Sequence, residues 1–287
     1  MPLPRGGPIR WLTHGTAMDR QPVYSPDGRT VLFSSNRSGQ LDLWTLSRET
    51  GALRRVTDDP AQDWDPAFSP DGRRILWSSD RRGRFEVWTS AVDGGDPRRL
   101  TRGGEAENPV PSPDGSALLW GSRQHGNGGI WKARADGTAA EPLVRGQTLQ
   151  LPEVSPDGSL VAFREGIGTG PRAIRVVRLA DGAEVAAIRL PEVVDATTEG
   201  ESGRARWLPD GRLAYIGVDE EGLAGVFVQD VVPGRDTTAT RRRLAGFDPT
   251  LQVESFAVSP DGAFLTVAAR ESLSSVALAE PVAFAER

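Results

Sequence analysis

Ser69-Pro70-Asp71-Gly72 is one of six related four-residue stretches that organise the whole chain. Proline pre-sets φ for the second residue of a tight turn, aspartate can bond the backbone that follows it, and glycine accepts a positive φ. Each copy therefore predicts a turn between two antiparallel strands. The six copies begin at Ser25, Ser69, Ser112, Ser155, Leu208 and Ser259, with steps of 44, 43, 43, 53 and 51 residues.

The residues around each turn predict four short strands per unit. The turn is followed by a β-rich run such as Arg74-Ile75-Leu76-Trp77, then by a polar loop and a third run such as Phe85-Glu86-Val87-Trp88. A second turn, such as Asp93-Gly94-Gly95, leads to a fourth strand ending in Arg99-Leu100-Thr101. Four strands per unit at this spacing are typical of the blades of a β-propeller.

The predicted fold is an all-β, six-bladed β-propeller of four-stranded antiparallel blades, which forms a single domain over residues 1–287. The sixth unit runs out of sequence after its third strand, residues 272–279, whereas residues 10–15 align with the end of an earlier blade, residues 98–103. We therefore expect the N-terminal strand to complete the last blade and close the ring. The predicted blades are residues 20–63, 64–106, 107–149, 150–202, 203–253, and 254–287 together with 8–15.

The run Pro66-Ala67-Phe68 before the turn, together with the closing Arg99-Leu100-Thr101, resembles the TolB-like propeller repeat over about residues 8–280. Similar blades occur in periplasmic TolB, which binds a peptidoglycan-associated lipoprotein, in sensor-like regions of bacterial serine/threonine kinases and transcription regulators, and in prolyl-oligopeptidase-like hydrolases. The resemblance implies a protein-binding or sensor module of a bacterial protein and an extracytoplasmic location. Residues 1–7 lack the apolar run of a signal peptide.

Composition restricts the possible chemistry. The chain has no cysteine, which excludes disulfides, thiolate nucleophiles and cysteine-based zinc sites. Its formal net charge of -5 argues against nucleic acid and anionic membranes as partners. It has two histidines, His14 and His125, and neither a G-x-S-x-G nor an H-E-x-x-H motif. We therefore predict a non-catalytic protein without a cofactor or metal; the alternative is a hydrolase or lyase whose site at the channel mouth uses His125.

The predicted binding site lies on one end of the propeller. Turns between first and second strands share one end, here called the turn face, with those between third and fourth strands. The loop face, at the other end, carries the chain segments that enter the first strands and the loops between second and third strands. Four residues before each repeat start, at this entrance, stand Gln21, Asp65, Asn108, Leu151, Arg204 and Ser255.

These six positions vary in chemistry although the scaffold repeats, as a specific binding surface requires. We expect them to ring the mouth of the channel, and the alternative is that they are ordinary solvated loop residues. Loops on the same face add Arg37, Arg81, Arg123 and His125, so that a charged protein segment or small charged ligand can be oriented there. The predicted binding residues are Gln21, Asp65, Asn108, Arg204, Ser255, Arg37, Arg81, Arg123 and His125.

Other candidate features have simpler explanations. The acidic segment 191–203 is predicted to be either a flap on the loop face or a tolerated surface insertion. The repeated turn aspartates are better explained by turn chemistry than by calcium, and Asp63 with Asp65 supplies too few oxygens for that ion. The repeated aromatic residues, such as Trp77 and Trp120, are predicted to pack between blades rather than to form a stacking platform.

Overall fold

The computed structural model describes residues 10–103, 105–166, 172–190, 204–219, 224–246 and 251–271. These residues form 22 β-strands and one short 3-10 helix, Thr238–Thr240. The strands of each sheet are neighbours in chain order and pair antiparallel, so each sheet is an up-and-down meander. No helix in this part of the chain has the length and apolarity that a membrane span requires.

Five of the sheets have four strands each, and the first strand of each sheet is an edge strand. The first sheet contains β1 (Asp19–Tyr24), β2 (Thr30–Ser35), β3 (Asp42–Ser47) and β4 (Leu53–Arg55). The second contains β5 (Asp63–Phe68), β6 (Arg74–Ser79), β7 (Glu86–Ala91) and β8 (Arg98–Arg99). The third contains β9 (Ala106–Pro111), β10 (Ala117–Ser122), β11 (Gly129–Arg134) and β12 (Glu141–Arg145).

The remaining strands belong to three further sheets. The fourth sheet contains β13 (Leu149–Val154), β14 (Leu160–Glu165), β15 (Arg172–Arg178) and β16 (Glu184–Leu190). The fifth contains β17 (Ala205–Trp207), β18 (Leu213–Val218), β19 (Ala224–Gln229) and β20 (Arg242–Gly246). The sixth sheet has two strands, β21 (Leu251–Val258) and β22 (Leu265–Glu271).

The all-β propeller with four-stranded antiparallel blades is confirmed, but the prediction of six such blades is wrong. The described residues form five, and the sheet of β21 and β22 has only two strands. Residues 10–15, predicted to close the last blade, lie outside any strand, and Trp11 is 43% exposed. A fourth strand needs a third strand to pair with, and the predicted third strand, residues 272–279, lies outside the described residues.

The sixth sheet is instead joined directly to the first. The backbone N–H of Gln21 donates to Ser255 Oγ at 2.9 Å, and the hydroxyls of Tyr24 and Thr266 lie 2.5 Å apart. On its other side, Phe256 of β21 belongs to the same buried cluster as Ile216 and Val228 of the fifth sheet. The two-stranded sheet therefore lies between the last and the first four-stranded blades.

The repeated turns follow the predicted chemistry. In the first copy, Ser25 Oγ donates to Asp27 Oδ1 at 2.6 Å, the N–H of Arg29 donates to the same oxygen at 3.0 Å, and Gly28 has a φ of 70°. The variant copy has no serine hydroxyl because it begins with Leu208. There the Arg212 side chain donates to Asp210 Oδ2, at 2.9 Å from Nε and 2.7 Å from Nη2. The turn therefore keeps its carboxylate acceptor with a different donor.

The repeated aromatic residues lie in the core, as predicted. Phe33, Trp77, Trp120 and Phe163 are all at most 5% exposed. Trp77 packs with Leu32 and Leu43 of the preceding blade. Burial of a large apolar side chain contributes about 1.5–3 kcal/mol, so these contacts between neighbouring blades are a main source of the stability of the ring.

Candidate functional site

The innermost strands of four blades contain a β-bulge that turns one residue of each toward the propeller axis. The pairing of β1, β5, β9 and β13 with their second strands shifts at this point. The bulge residues have positive φ values of 53°, 50°, 56° and 56°, and a proline follows each one. Proline is tolerated because the first strand is an edge strand and needs no further ladder N–H there. The bulge residues are Gln21, Asp65, Asn108 and Leu151.

These residues, with Arg204 and Ser255 at the equivalent repeat positions, are called the channel ring below. Backbone N–H groups of one blade donate to ring side chains of the blade before it. The N–H of Gln21 donates to Ser255 Oγ and that of Asp65 to Gln21 Oε1, both at 2.9 Å. The N–H of Leu151 donates to Asn108 Oδ1 at 3.4 Å. The side chains of the ring therefore connect adjacent blades.

A serine completes the connection between the second and third blades. Ser78 Oγ donates to Asp65 Oδ2 at 3.3 Å and accepts the N–H of Asn108 at 3.0 Å. A different contact spans the axis: Arg204 Nη2 lies 3.1 Å from Asp65 Oδ1, and both side chains are about 5% exposed. This ion pair joins the fifth blade to the second, so the channel ring is bridged across its interior.

The predicted ring residues are brought together, and their side chains are buried. Gln21 and Ser255 are fully buried, and Asp65, Asn108, Leu151 and Arg204 are at most 8% exposed. The alternative that they are ordinary solvated loop residues is therefore wrong, since all six side chains are buried. Their role in binding stays a prediction.

A cavity of about 390 Å³ occupies the channel. Its lining includes ring residues Asp65, Asn108, Leu151 and Arg204 at one end and the turn prolines at the other. The cavity therefore extends from the channel ring to the turn face, whereas the sequence predicted a site on the loop face. The turn prolines that line it are Pro26, Pro70, Pro113 and Pro260.

The cavity wall between these two ends is apolar on most of its circumference. Two residues before each repeat start, the first three blades and the two-stranded sheet place an apolar side chain, and the fourth and fifth blades place Glu153 and Arg206. Arg206 Nη1 donates to Glu153 Oε2 at 2.7 Å, and Arg206 Nε donates to the carbonyl of Phe256 at 3.3 Å. The four apolar wall residues are Val23, Ala67, Val110 and Ala257.

The arginines predicted on the loop face make contacts within their own blades. Arg37 donates to both oxygens of Asp19 at 2.7 and 2.8 Å. Arg81 lies 2.6 Å from Asp59 Oδ2 and 3.3 Å from Asp63, and its guanidinium covers the Trp88 ring at 4.5 Å. Both side chains are only 16% exposed. These contacts support a structural role for both residues.

Arg123 and His125 lie farther out. The Arg123 side chain is 52% exposed and donates to Glu107 Oε2 at 2.8 Å, and His125 is exposed. Burial raises the pKa of Glu107 above its usual range, although the Arg123 charge opposes this shift. The structure does not bring either residue to the cavity lining, and their binding role stays a prediction.

The described residues contain no group of three or more histidine, aspartate or glutamate side chains placed to hold a metal ion. Burial also raises the pKa of Asp63, although hydrogen bonds from Ser79 and the Arg81 charge oppose this shift. The predicted flap, residues 191–203, lies outside the described residues.

Sequence analysis missed the wall pair of Glu153 and Arg206, although it was visible as two charged residues at positions where the other repeats have valine or alanine.

Comparison with known proteins identifies the architecture. A family model described as the TolB beta-propeller domain matches residues 5–193. Among solved structures, a putative TolB from Agrobacterium tumefaciens has a TM-score of 0.66 and 22% identity, and the alignment covers 91% of this chain and 93% of that one. TolB from Acinetobacter baumannii has a TM-score of 0.62 and 18% identity, over 79% of this chain and 57% of that one.

One curated relative was found by sequence. An uncharacterized protein of Agrobacterium fabrum is 52% identical over 33 residues, which are 12% of this chain and 11% of that protein. The match therefore spans only a small part of the relative, and the chain spans little more than half of the Acinetobacter structure. At these identities the solved structures show the fold alone.

Proposed function

Because the chain belongs to the TolB beta-propeller domain family, we propose that it is a non-catalytic binding module that takes a segment of a partner protein into the channel cavity from the turn face. The observation that carries this proposal is the cavity itself. It has a volume of about 390 Å³, an apolar wall and one charged pair at the side. Pockets with a largely apolar lining and a few fixed polar groups are typical ligand sites.

The geometry favours insertion of side chains over addition of a strand. The innermost strands carry the edge to which an extended peptide would pair, but Pro22, Pro66, Pro109 and Pro152 remove N–H donors there. Affinity must therefore come mainly from burial of apolar side chains against Val23, Ala67 and Val110.

The experiment fills the cavity without disturbing the channel ring. Ala67 lines the cavity, and Ala67→Trp places an indole inside it. Ala52 is exposed, so Ala52→Trp is a control that adds the same side chain outside the cavity. Random peptides displayed on phage are selected on the wild-type protein, and each enriched peptide is synthesised and its Kd measured for all three proteins. Circular dichroism establishes that the variants are folded.

We expect the enriched peptides to bind Ala67→Trp at least about tenfold more weakly and Ala52→Trp unchanged, because an indole of this size removes most of the space an apolar anchor needs. Equal binding to Ala67→Trp and the wild type would contradict the proposal. A second filling variant, Val110→Trp, replaces Ala67→Trp if that protein does not fold. The alternative of a hydrolase or lyase, a place in a larger protein such as a kinase, and the cellular location stay predictions.

A further inference from the structure

The entrance to the cavity carries charge that is unevenly distributed. Each turn copy contributes an aspartate directly after its proline, and hydrogen bonds lower the pKa of all six carboxyl groups, so each is ionised at neutral pH. Carboxylates on the turn face, next to the prolines that line the cavity, attract cationic groups and repel anionic ones. The six aspartates are Asp27, Asp71, Asp114, Asp157, Asp210 and Asp261.

Four of the six aspartates have a nearby arginine. Arg29, Arg73 and Arg212 stand two residues after the aspartates of the first, second and fifth copies, and Arg48 lowers the pKa of Asp261 through its charge. The third and fourth copies differ, because Ser116 and Ser159 stand at the arginine position. Their hydroxyls donate to Asp114 and Asp157 at 2.8 Å.

Asp114 and Asp157 therefore form an acidic sector over two adjacent blades. This sector borders the cavity, because Pro113 lines the cavity and a Cβ built on Gly158 would lie 4.0 Å from the Pro113 ring. Glu153 lies on the wall of the same fourth blade, and its partner Arg206 comes from the fifth. The third and fourth blades thus contribute three carboxylates, whereas the opposite wall at Val23 and Ala257 is apolar.

From this arrangement we propose that the cavity selects protein segments in which an apolar residue is flanked by lysine or arginine. The apolar side chain enters the cavity, and the neighbouring cation lies over the sector of Asp114 and Asp157. The inference rests on the proposed function and adds the chemistry of the segment. The formal net charge of -5 for the whole chain acts in the same direction by attracting a basic partner from a distance.

The test removes the two charges while keeping the turns. Asn retains the side-chain oxygen that accepts the turn hydrogen bonds, so Asp114→Asn with Asp157→Asn changes charge with little change of conformation. A matched control exists on the same two blades and the same face. Asp136 and Asp181 lie in the turns between third and fourth strands and accept similar turn hydrogen bonds, but their turns contribute no residue to the cavity lining, whereas Pro113 directly before Asp114 does.

The probes are the phage-selected peptides that lose binding to Ala67→Trp, together with synthetic copies in which each Lys or Arg is replaced by Gln. We expect the selected sequences to be enriched in basic residues next to an apolar one. We expect Asp114→Asn/Asp157→Asn to weaken binding about five- to tenfold at low salt, with little difference at 0.5 M salt, because screening shortens the range of exposed charges. Asp136→Asn/Asp181→Asn should leave the Kd within about twofold of the wild-type value.

Two results would overturn the inference, and they differ from a failure of the proposed function. Cavity-dependent peptides without basic residues, or peptides that bind Asp114→Asn/Asp157→Asn as tightly as the wild type, would leave the cavity as a binding site but remove its preference for cations. If no selected peptide depends on the cavity, the proposed function fails and the inference fails with it.

Discussion

Arg204 of the fifth blade and Asp65 of the second blade form an ion pair across the propeller axis, with Nη2 and Oδ1 3.1 Å apart although the two residues are 139 positions apart in sequence. The other hydrogen bonds described above for the channel ring lie within one blade or connect neighbouring blades, whereas this pair connects two blades that lie opposite each other. It forms the inner end of the cavity described above. The pair therefore determines the depth of the cavity and supports the ring from inside.

The first prediction concerns the stability of this pair. Arg204→Met should lower the free energy of unfolding by about 3 kcal/mol, because it leaves the Asp65 carboxylate buried without its guanidinium. Adding Asp65→Asn should recover part of this loss, since the amide is neutral and can still accept from Ser78. Urea unfolding of the single and double variants measures the coupling between the two residues.

The control for this prediction is an exposed pair of the same types. Arg212 and Asp210 are 37% and 52% exposed, so Arg212→Met should cost at most about 1 kcal/mol. Equal losses for Arg204→Met and Arg212→Met would show that the pair across the axis is energetically like a surface ion pair.

The second prediction concerns the bulge at Asn108. Its φ is 56° and its Oδ1 accepts the N–H of Leu151. Asn108→Val should cost about 3 kcal/mol in urea unfolding, because a β-branched residue is strained at positive φ and the buried N–H loses its acceptor. Asn108→Gly should cost about half as much, because glycine adopts a positive φ without strain but still leaves the Leu151 N–H without its acceptor. The prediction fails if valine is tolerated as well as glycine.

The strands and turns could be predicted from sequence because their causes are local. Pro70, Asp71 and Gly72 each favour one part of a turn, and the runs that flank the turn favour strands. The closure of the ring was predicted wrongly because it depends on long-range pairing. Residues 10–15 resemble residues 98–103, but resemblance to a fourth strand does not supply a third strand to pair with.

The candidate site could be predicted only in part, because some of its features follow from the local repeat and others depend on long-range contacts. The repeat aligns Gln21, Asp65 and Asn108 at equivalent positions, so sequence alone groups them. It does not show that a bulge turns them inward, although aspartate or asparagine before proline was a usable signal because both tolerate positive φ. The contact of Asp65 with Arg204 required knowledge of which blades lie opposite each other, and no local pattern contains that information.

The third prediction compares two glycines that have almost the same φ. Gly137 has a φ of 82° and Gly211 a φ of 83°, but a Cβ on Gly137 would lie 2.1 Å from the carbonyl oxygen of Leu100, whereas nothing lies within 4 Å of one on Gly211. Gly211→Ala should cost about 1 kcal/mol, from the backbone conformation alone. Gly137→Ala should cost at least about 2 kcal/mol more, because the backbone of the neighbouring blade must move.

Urea unfolding of the two glycine variants separates strain from collision. A similar loss for both would show that the third blade can shift away from Leu100 at little cost. In that case the contact between these blades is less rigid than the short distance indicates.

The fourth prediction concerns stability at acidic pH. Hydrogen bonds from Ser112 and Ser116 lower the pKa of Asp114 from its ordinary value of 3.8 to about 2. A carboxyl group whose pKa is lower in the folded state stabilises the protein above its unfolded pKa, and this contribution is lost as pH falls through the folded value. Asp114→Asn should therefore lower the thermal midpoint at pH 6, and its difference from the wild type should shrink as the pH falls from about 4 to about 2.

The comparison with Asp114→Asn is needed because other carboxyl groups act in the opposite direction. Burial raises the pKa of Asp63 and Glu107, so protonation of these two groups favours the folded state as pH falls. The pH dependence of the wild-type thermal midpoint is therefore a sum of opposing contributions. The difference in thermal midpoint between the wild type and Asp114→Asn reports the contribution of the Asp114 carboxylate alone. A difference in thermal midpoint that stays constant from pH 6 to pH 2 would mean that the Asp114 carboxylate contributes to the turn through its shape and not through its charge.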